Sequence, residues 1–359
     1  MGKKVYYNLE YDRKKYRVAI IAPFPPLSGG MTQIAQSLSR NLKKDGHKIY
    51  KIDLGKGLNG VFPFPKLYIK YFKIISRCDI VHIISASGNA LWFKDLPAIL
   101  VSRFMFKKAI LNFVGGMALD YYDNWSWFKK LPFRLADIVV VPTDIFKNLL
   151  NKDKLCSKVF TVPHVVDVQN FNENDSLSHD KPVLIASKAL EKYAGIYELL
   201  DIFYEVKKKI KNLEFWIIGD GPERERLINK VNRMRLKDVR FLGQINHREM
   251  PKIMKEGTIF VHATRFESFG LVLVEAMASS LPIISFRVGG IPEVVLDKKT
   301  GFLIEYGNQN HFSEAIQDLI FNFQKRKRFK DNAKKHSRNY HWNKVKKYWY
   351  KIYFNLKIN

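Results

Sequence analysis

The chain has 359 residues, 47% of them hydrophobic and 14% aromatic, which exceeds one ordinary hydrophobic core and supplies material for two. Lys and Arg number 61 against 34 Asp and Glu, a net charge of +27 that favours polyanionic partners: nucleic acid, an anionic membrane or a phosphorylated substrate. No run of 18 apolar residues suggests a transmembrane helix, the opening MGKKVYYNLEYDRKKYR lacks the apolar region of a secretory signal, and the two cysteines, Cys78 and Cys156, form no metal spacing or disulfide framework, so a reducing cytoplasmic setting is expected.

In chain order, YRVAIIAPF is a β-branched run closed by proline and predicts a buried strand. LSGGMTQIAQSLSRNLKKDGHKIYKID follows. It opens on Gly29-Gly30, its Ile34, Leu38 and Leu42 recur at four as one helix face, and Gly46 ends that helix before the strand HKIYKID. DIVHIIS, KAILNFVG and DIVVVPT predict further buried strands. This strand–helix alternation implies a parallel, doubly wound sheet. The polar stretch DVQNFNENDSLSHDK is the linker candidate. PVLIAS, LEFWIIGDG, VRFLGQI, TIFVHAT, LPIISF and GFLIEY then predict a second α/β half. The closing HSRNYHWNKVKKYWYKIYFNLKIN reads as a basic, aromatic, amphipathic helix.

Several short patterns suit a phosphate or a sugar. Gly29-Gly30, and Gly219 with Gly221, stand in strand-to-helix turns, where glycine lets backbone N–H groups approach an anion. Taken alone, a plain tight turn is the simpler reading of either pair, and neither is the dinucleotide fingerprint G-x-G-x-x-G. Lys188 and Lys192 follow the strand PVLIAS, where two ammonium groups could clamp a diphosphate and stabilise its departure. The segment TRFESFGLVLVEAMA is the most informative. Glu275 is the single charged side chain between Ser268 and Phe286, and burying a lone carboxylate is costly. A carboxylate with two accepting oxygens can grip a vicinal diol, and the N–H groups near Phe269, Gly270 and Leu271 are helix-start donors.

ESFGLVLVE, from Glu267 to Glu275, resembles the E-x7-E motif of the retaining GT-B glycosyltransferases of group 1, glycosyltransferase family 4. The resemblance extends over nearly the whole chain, through SGGMTQIAQSLSRNLKKDGHKIYKID, FRLADIVVVPTDIFKNLL, VPHVVDVQNF, IIGDGPERERL and TGFLIEYGN in order. It implies an α/β chain of GT-B type: two Rossmann-like parallel-sheet domains facing a cleft, with a C-terminal helix crossing back to the first domain. The domains would be 1–170, with 340–359 packing on it, and 171–339. It also implies sugar transfer from a nucleotide diphosphate donor to a glycan or lipid-linked acceptor with retention. Cell-surface polysaccharide or glycolipid synthesis is the expected setting, with no cofactor and no metal. By the same resemblance Glu267 meets the sugar and Glu275 the ribose hydroxyls. Phe269, Gly270 and Leu271 help to seat sugar and phosphate. Lys188 and Lys192 meet the diphosphate, Gly30 faces it across the cleft, and the backbone near Gln244 and Ile245 reads the base. Gly219 belongs to the same donor-binding set.

The chain departs from the family pattern in places. Lys188 replaces the usual arginine and loses its bidentate fork. EKYAG carries two extra residues between lysine and glycine. Val114 stands where the family often has histidine, with Asn112 as the conceivable substitute. His82, in an apolar strand, reads as a satisfied core histidine. Residues 64–134 carry eleven basic and four acidic side chains, with aromatics interleaved in FPKLYIKYFKIISR, RFMFKK and NWSWFKKLPFR. That mixture suits either ordinary amphipathic helices or a headgroup interface, hence a peripheral location on the inner membrane face. Two rival readings are a GT-B-like nucleotide-sugar epimerase and a basic nucleic-acid-binding protein, although no nucleic-acid-binding motif accompanies the charge.

Overall fold

Short, almost continuously apolar runs form the central strands, buried on both faces as parallel sheets require, whereas the edge strands Lys48–Asp53 and Val239–Gly243 are mostly exposed or half-buried. The computed structural model describes residues 14–25, 29–55, 64–86, 88, 91–116, 127–128, 130–152, 154–156, 158–171 and 181–356. The N-terminal segment read above for a signal lies outside them through residue 13, as do residues 172–180 of the linker candidate. Contacts divide the chain into two units, Met1–Val165 with Trp342–Asn359, and Val166–His341.

The first unit contains strands β1 (Arg17–Ala22), β2 (Lys48–Asp53), β3 (Ile80–Ser85), β4 (Lys108–Phe113), β5 (Ile138–Val141) and β6 (Val159–Thr161). They form one sheet in the order β2-β1-β3-β4-β5-β6, parallel throughout. Its helices are α1 (Gly30–Lys44), α2 (Phe64–Ile75), α3 (Leu96–Phe104), α4 (Leu131–Leu135) and α5 (Asp144–Lys152). A π-helical turn, Leu91–Asp95, leads into α3. Ile34, Leu38 and Leu42 of α1 are buried, as their spacing predicts. Strand β6 is absent from the sequence reading, because three residues are too few for a periodic signal.

The second unit contains β7 (Val183–Ser187), β8 (Glu214–Ile218), β9 (Val239–Gly243), β10 (Ile259–His262), β11 (Ile283–Phe286) and β12 (Gly301–Ile304). Their order is β12-β11-β10-β7-β8-β9, again all parallel. Helices α6 (Ile196–Lys209), α7 (Arg224–Arg233), α8 (Met250–Lys255), α9 (Leu271–Ala278), α10 (Ile291–Val294), α11 (Gln309–Phe321) and α12 (Phe323–Ser337) accompany them. The chain builds β7, β8 and β9 outward on one side, then returns to lay β10 on the other side of β7. The strand order therefore reverses between β7 and β10, and open α/β sheets hold ligands beyond the carboxyl ends of strands at such a point.

The linker reading needs one correction at its start. Val168 and Phe171 form a 3-10 turn and are buried in the second unit's core, because both are apolar anchors within an otherwise polar stretch. The last helix, α13 (Trp342–Asn355), returns to the first unit. Trp342 Nε1 and Tyr350 OH both donate to Asp45 Oδ2, at 2.8 and 2.6 Å. The Trp349 ring lies 4.8 Å from His82, and Tyr353 OH lies 3.3 Å from His82 Nδ1. His82 is a core histidine, fully buried, but only half satisfied, because its Nε2 has no hydrogen-bond partner among the described residues; burial pushes its pKa down to about 3.

Candidate active site

The reversal point of the second sheet is built by two loops, one leaving β7 and one leaving β10. Close backbone approach holds them. Gly195, with φ +79°, caps α6, and a Cβ there would lie 2.0 Å from Ala263 O, so only glycine fits. Thr264 Oγ1 has Tyr193 O at 3.2 Å and Phe266 O at 3.1 Å as alternative acceptors for its one proton, and Arg265 N–H donates to Tyr193 O at 3.1 Å. Gly219, with φ +132°, lets β8's exit pass under Lys188, whose carbonyl oxygen would lie 1.9 Å from any added Cβ.

Three ionisable side chains meet on this frame. Lys188 Nζ lies 2.7 Å from Glu267 Oε2, with the two side chains only 22% and 15% exposed. His262, the last residue of β10, brings Nε2 to 3.6 Å from the same oxygen. Glu267 Oε1 meanwhile accepts the Ser268 N–H at 3.1 Å and the Phe269 N–H at 3.4 Å. Burial alone would raise the Glu267 pKa. The Lys188 charge and the His262 contact outweigh it and hold the carboxyl well below the usual range, so it is anionic at neutral pH. Burial lowers the His262 pKa, aided by Lys188 and opposed by Glu267, which leaves the imidazole neutral.

Helix α9 starts where this cluster ends, with Gly270 as its N-cap at φ +83°. Glu267 takes the Phe269 N–H, whereas the N–H groups of Gly270 and Leu271 make no hydrogen bond among the described residues. They leave the positive end of the helix open to an anion. Glu275 lies further along the same helix and is 4% exposed. His247 Nε2 lies 2.9 Å from its Oε1, and Oε2 makes no hydrogen bond among the described residues. One hydrogen bond leaves most of a carboxylate's accepting capacity unused, so a buried Glu275 is equipped to take hydroxyl donors.

The remaining candidates are distributed as follows. Lys192 is exposed, opens the 3-10 turn Lys192–Ala194 and makes no ion pair among the described residues. The two extra residues of EKYAG form that turn, with Ala194 buried and the Tyr193 carbonyl tied to the β10 loop. Gly219 donates its N–H to Gly243 O at 2.8 Å, and backbone packing accounts for it as a glycine. Gln244 is exposed and Ile245 half-buried in the turn after β9, on the same stretch as His247. Phe269 is buried against Tyr340, and Leu271 packs on the core beside Leu273. Gly30 opens α1 in the first unit, whereas the other ten lie in the second. In the first unit Asn112 is buried in β4 with Nδ2 unpartnered among the described residues, and the Val114 N–H donates to Ser85 O.

Sequence reasoning missed His247 and His262. His262 ends a strand at the carboxyl edge of a parallel sheet, and that position is the signal that could have marked it. His247 sits in the polar stretch INHREM and carried no signal of its own.

Known proteins resemble this chain in sequence and in fold. The family described as "Glycosyl transferases group 1" matches residues 167–336. An uncharacterised glycosyltransferase of Methanocaldococcus jannaschii is 36% identical over 338 residues, covering 93% of this chain and 84% of that protein. The GPI3 subunit of phosphatidylinositol N-acetylglucosaminyltransferase from Saccharomyces cerevisiae is 29% identical over 296 residues, 77% of this chain and 64% of the yeast subunit. Among solved structures, Anabaena HepE in complex with UDP and glucose superposes with a TM-score of 0.74 at 17% identity, over 95% of this chain and 99% of that one, and so shares the GT-B fold. With two parallel sheets, a charged strand-reversal point and a relative this similar along nearly its whole length, the chain belongs to the group 1 glycosyltransferases.

Proposed function

We propose that the chain transfers a sugar from a nucleotide diphosphate donor to a glycan or lipid-linked acceptor, with retention at the anomeric carbon and without a metal. The observation that carries this reading is the Lys188–Glu267 pair at the strand reversal, beside the free N–H groups of Gly270 and Leu271. Leaving of a nucleoside diphosphate builds negative charge on the phosphate oxygens and positive charge on the sugar ring. Lys188 and the start of α9 answer the first, and the Glu267 carboxylate answers the second. An arriving diphosphate competes with Glu267 for the Lys188 ammonium, so donor binding opens the pair and frees a carboxylate beside the sugar.

Glu275 takes the ribose diol through its unpaired oxygen while His247 fixes the other. In the transfer, the bond from the anomeric carbon to the donor phosphate breaks and a bond to the acceptor oxygen forms. The acceptor proton passes to a phosphate oxygen of the leaving group. Support for a uridine donor comes from HepE, solved with UDP and glucose, and support for a lipid-linked acceptor from the yeast relative's phosphatidylinositol. Synthesis of a cell-surface glycan or glycolipid fits both.

A thermal-shift panel of UDP- and GDP-sugars tests the reading. A donor held by this site raises Tm with concentration, whereas NAD does not. A panel in which no nucleotide sugar shifts Tm, or NAD shifts it equally, contradicts it.

A further inference from the structure

Helix α2 completes its core face without using all of its apolar residues. Tyr71 and Ile75 are buried, with Leu67, Tyr68 and Ile74 packed beside them, yet Ile69 is 66% and Phe72 42% exposed. Helix α3 repeats the pattern: Ala98, Ile99 and Val101 are buried, whereas Leu100 and Phe104 are 49% and 75% exposed. The Phe72 and Phe104 rings meet edge-to-face at 6.2 Å, which joins the two outer faces into one patch. Phe106 extends it. Its φ of +55° follows the α3 C-cap, where glycine is the usual residue, and its ring is 95% exposed. A bulky residue held in the left-handed region with no burial to offset it is a burden on the free chain.

The charges carried by these two segments have one sign, although Lys108 is paired with Asp137 at 3.3 Å. Residues 64–77 contain Lys66, Lys70, Lys73 and Arg77, and residues 96–108 contain Arg103, Lys107 and Lys108, with no Asp or Glu in either segment. Lys66, Lys70, Lys73 and Arg77 are exposed and make no ion pair among the described residues. We propose that this face of α2 and α3 docks on an anionic lipid bilayer, with Ile69, Phe72, Leu100, Phe104 and Phe106 entering the headgroup boundary and the cations meeting lipid phosphates. A second copy of the chain fits poorly, because a two-fold contact would press this cationic face against itself. A nucleic acid would use the cations but leave the aliphatic ridge wet. No helix among the described residues is long and apolar enough to cross a membrane, so the contact is peripheral.

Co-sedimentation of the full chain with vesicles tests the proposal and needs neither donor nor acceptor, so its result is independent of the transfer reading. The chain binds phosphatidylglycerol–phosphatidylcholine vesicles at low salt and pure phosphatidylcholine weakly. Each of Lys66→Glu, Lys70→Glu and Lys73→Glu weakens binding by roughly fivefold or more. The double variant Phe104→Ser/Phe106→Ser loses the part that survives high salt. Both rings are exposed, so the variant keeps the wild-type melting curve. A Phe104→Trp variant shifts its emission to the blue only with anionic vesicles. Failure to sediment with anionic vesicles at low salt overturns the proposal, as does unchanged binding of the double serine variant at high salt. A dimer in solution that the same substitutions dissolve would assign the face to a second copy instead.

Discussion

Each six-stranded sheet buries one histidine completely, and the two have different fates. His82 lies within β3, under Trp349 and Tyr353 of α13, and no charged group among the described residues pairs with it. His262 ends β10 and touches a carboxylate that is itself paired with an ammonium. Both are held neutral, chiefly by burial. Residue type and burial therefore do not separate a histidine packed under a helix from one set beside the charged cluster. Position along the strand does: mid-strand side chains meet the covering helices, and strand-end side chains meet the loops.

The comparison breaks most visibly at Glu267. Glu267→Gln keeps the shape but removes the charge that Lys188 and His262 face, and kcat/KM of the folded protein falls by roughly 10²- to 10³-fold in a sugar-transfer assay, with a lowered Tm at neutral pH because the Lys188 ammonium loses its partner. A fall under threefold would leave Glu267 a structural residue like His82. Glu275→Ala comes next. Donor KM rises about tenfold with a smaller change in kcat, the pattern of lost uniform binding, read from initial rates over a donor series.

A paired substitution of the two histidines sharpens the contrast. His262→Gln lowers kcat/KM several-fold. His82→Leu leaves the kinetics of the folded protein within twofold but costs about 1–3 kcal/mol of stability, because Tyr353 OH loses its buried partner. Equal kinetic effects would erase the distinction. His247→Ala follows, raising donor KM about threefold by releasing Glu275 Oε1, with partial rescue in His247→Gln.

The smallest effect concerns the first unit's own buried acid. Asp95, in the π-helical turn, accepts from Ser85 Oγ at the end of β3, and its Oδ1 has no partner among the described residues. Burial pushes its pKa up to about 7, with Ser85 and Lys94 opposing. The native state thus keeps this proton up to about pH 7, while the unfolded chain loses it near the ordinary aspartate value of ~3.9. Stability from this group falls as pH rises through that window. Asp95→Asn cannot ionise, so its Tm advantage over wild type is small at pH 5 and full at pH 8. An advantage that is flat with pH would contradict the assignment. Glu267 has the opposite sign. Its depressed pKa makes the pair's contribution fully present above the ordinary carboxylate range, and the contribution is lost only as pH falls below it.

Much of the architecture was legible because parallel strands leave long apolar signatures. Eleven of the twelve strands were readable, most as short apolar runs and β2, KIYKID, from its place after the Gly46 helix stop, and VFT, the β6 segment, was too short. The motif that carried the family reading also marked Glu267 and Glu275, since a lone charge in an apolar helix needs a partner. What could not be read was the pairing. Lys188 and Glu267 are 79 residues apart, and only the strand reversal brings them together. Gly219 illustrates the converse. Its sequence context suggested an anion site, and its geometry shows a contact with the Lys188 backbone that no side chain would permit.

The central claim is that Lys188 and Glu275 hold the two ends of a nucleotide diphosphate. Titration calorimetry of UDP and GDP into the wild type, Lys188→Met and Glu275→Ala measures it directly. At least one nucleotide binds the wild type, and each substitution weakens that binding about tenfold or more. Wild-type affinity in both variants, or no binding of either nucleotide to the wild type, would contradict the account.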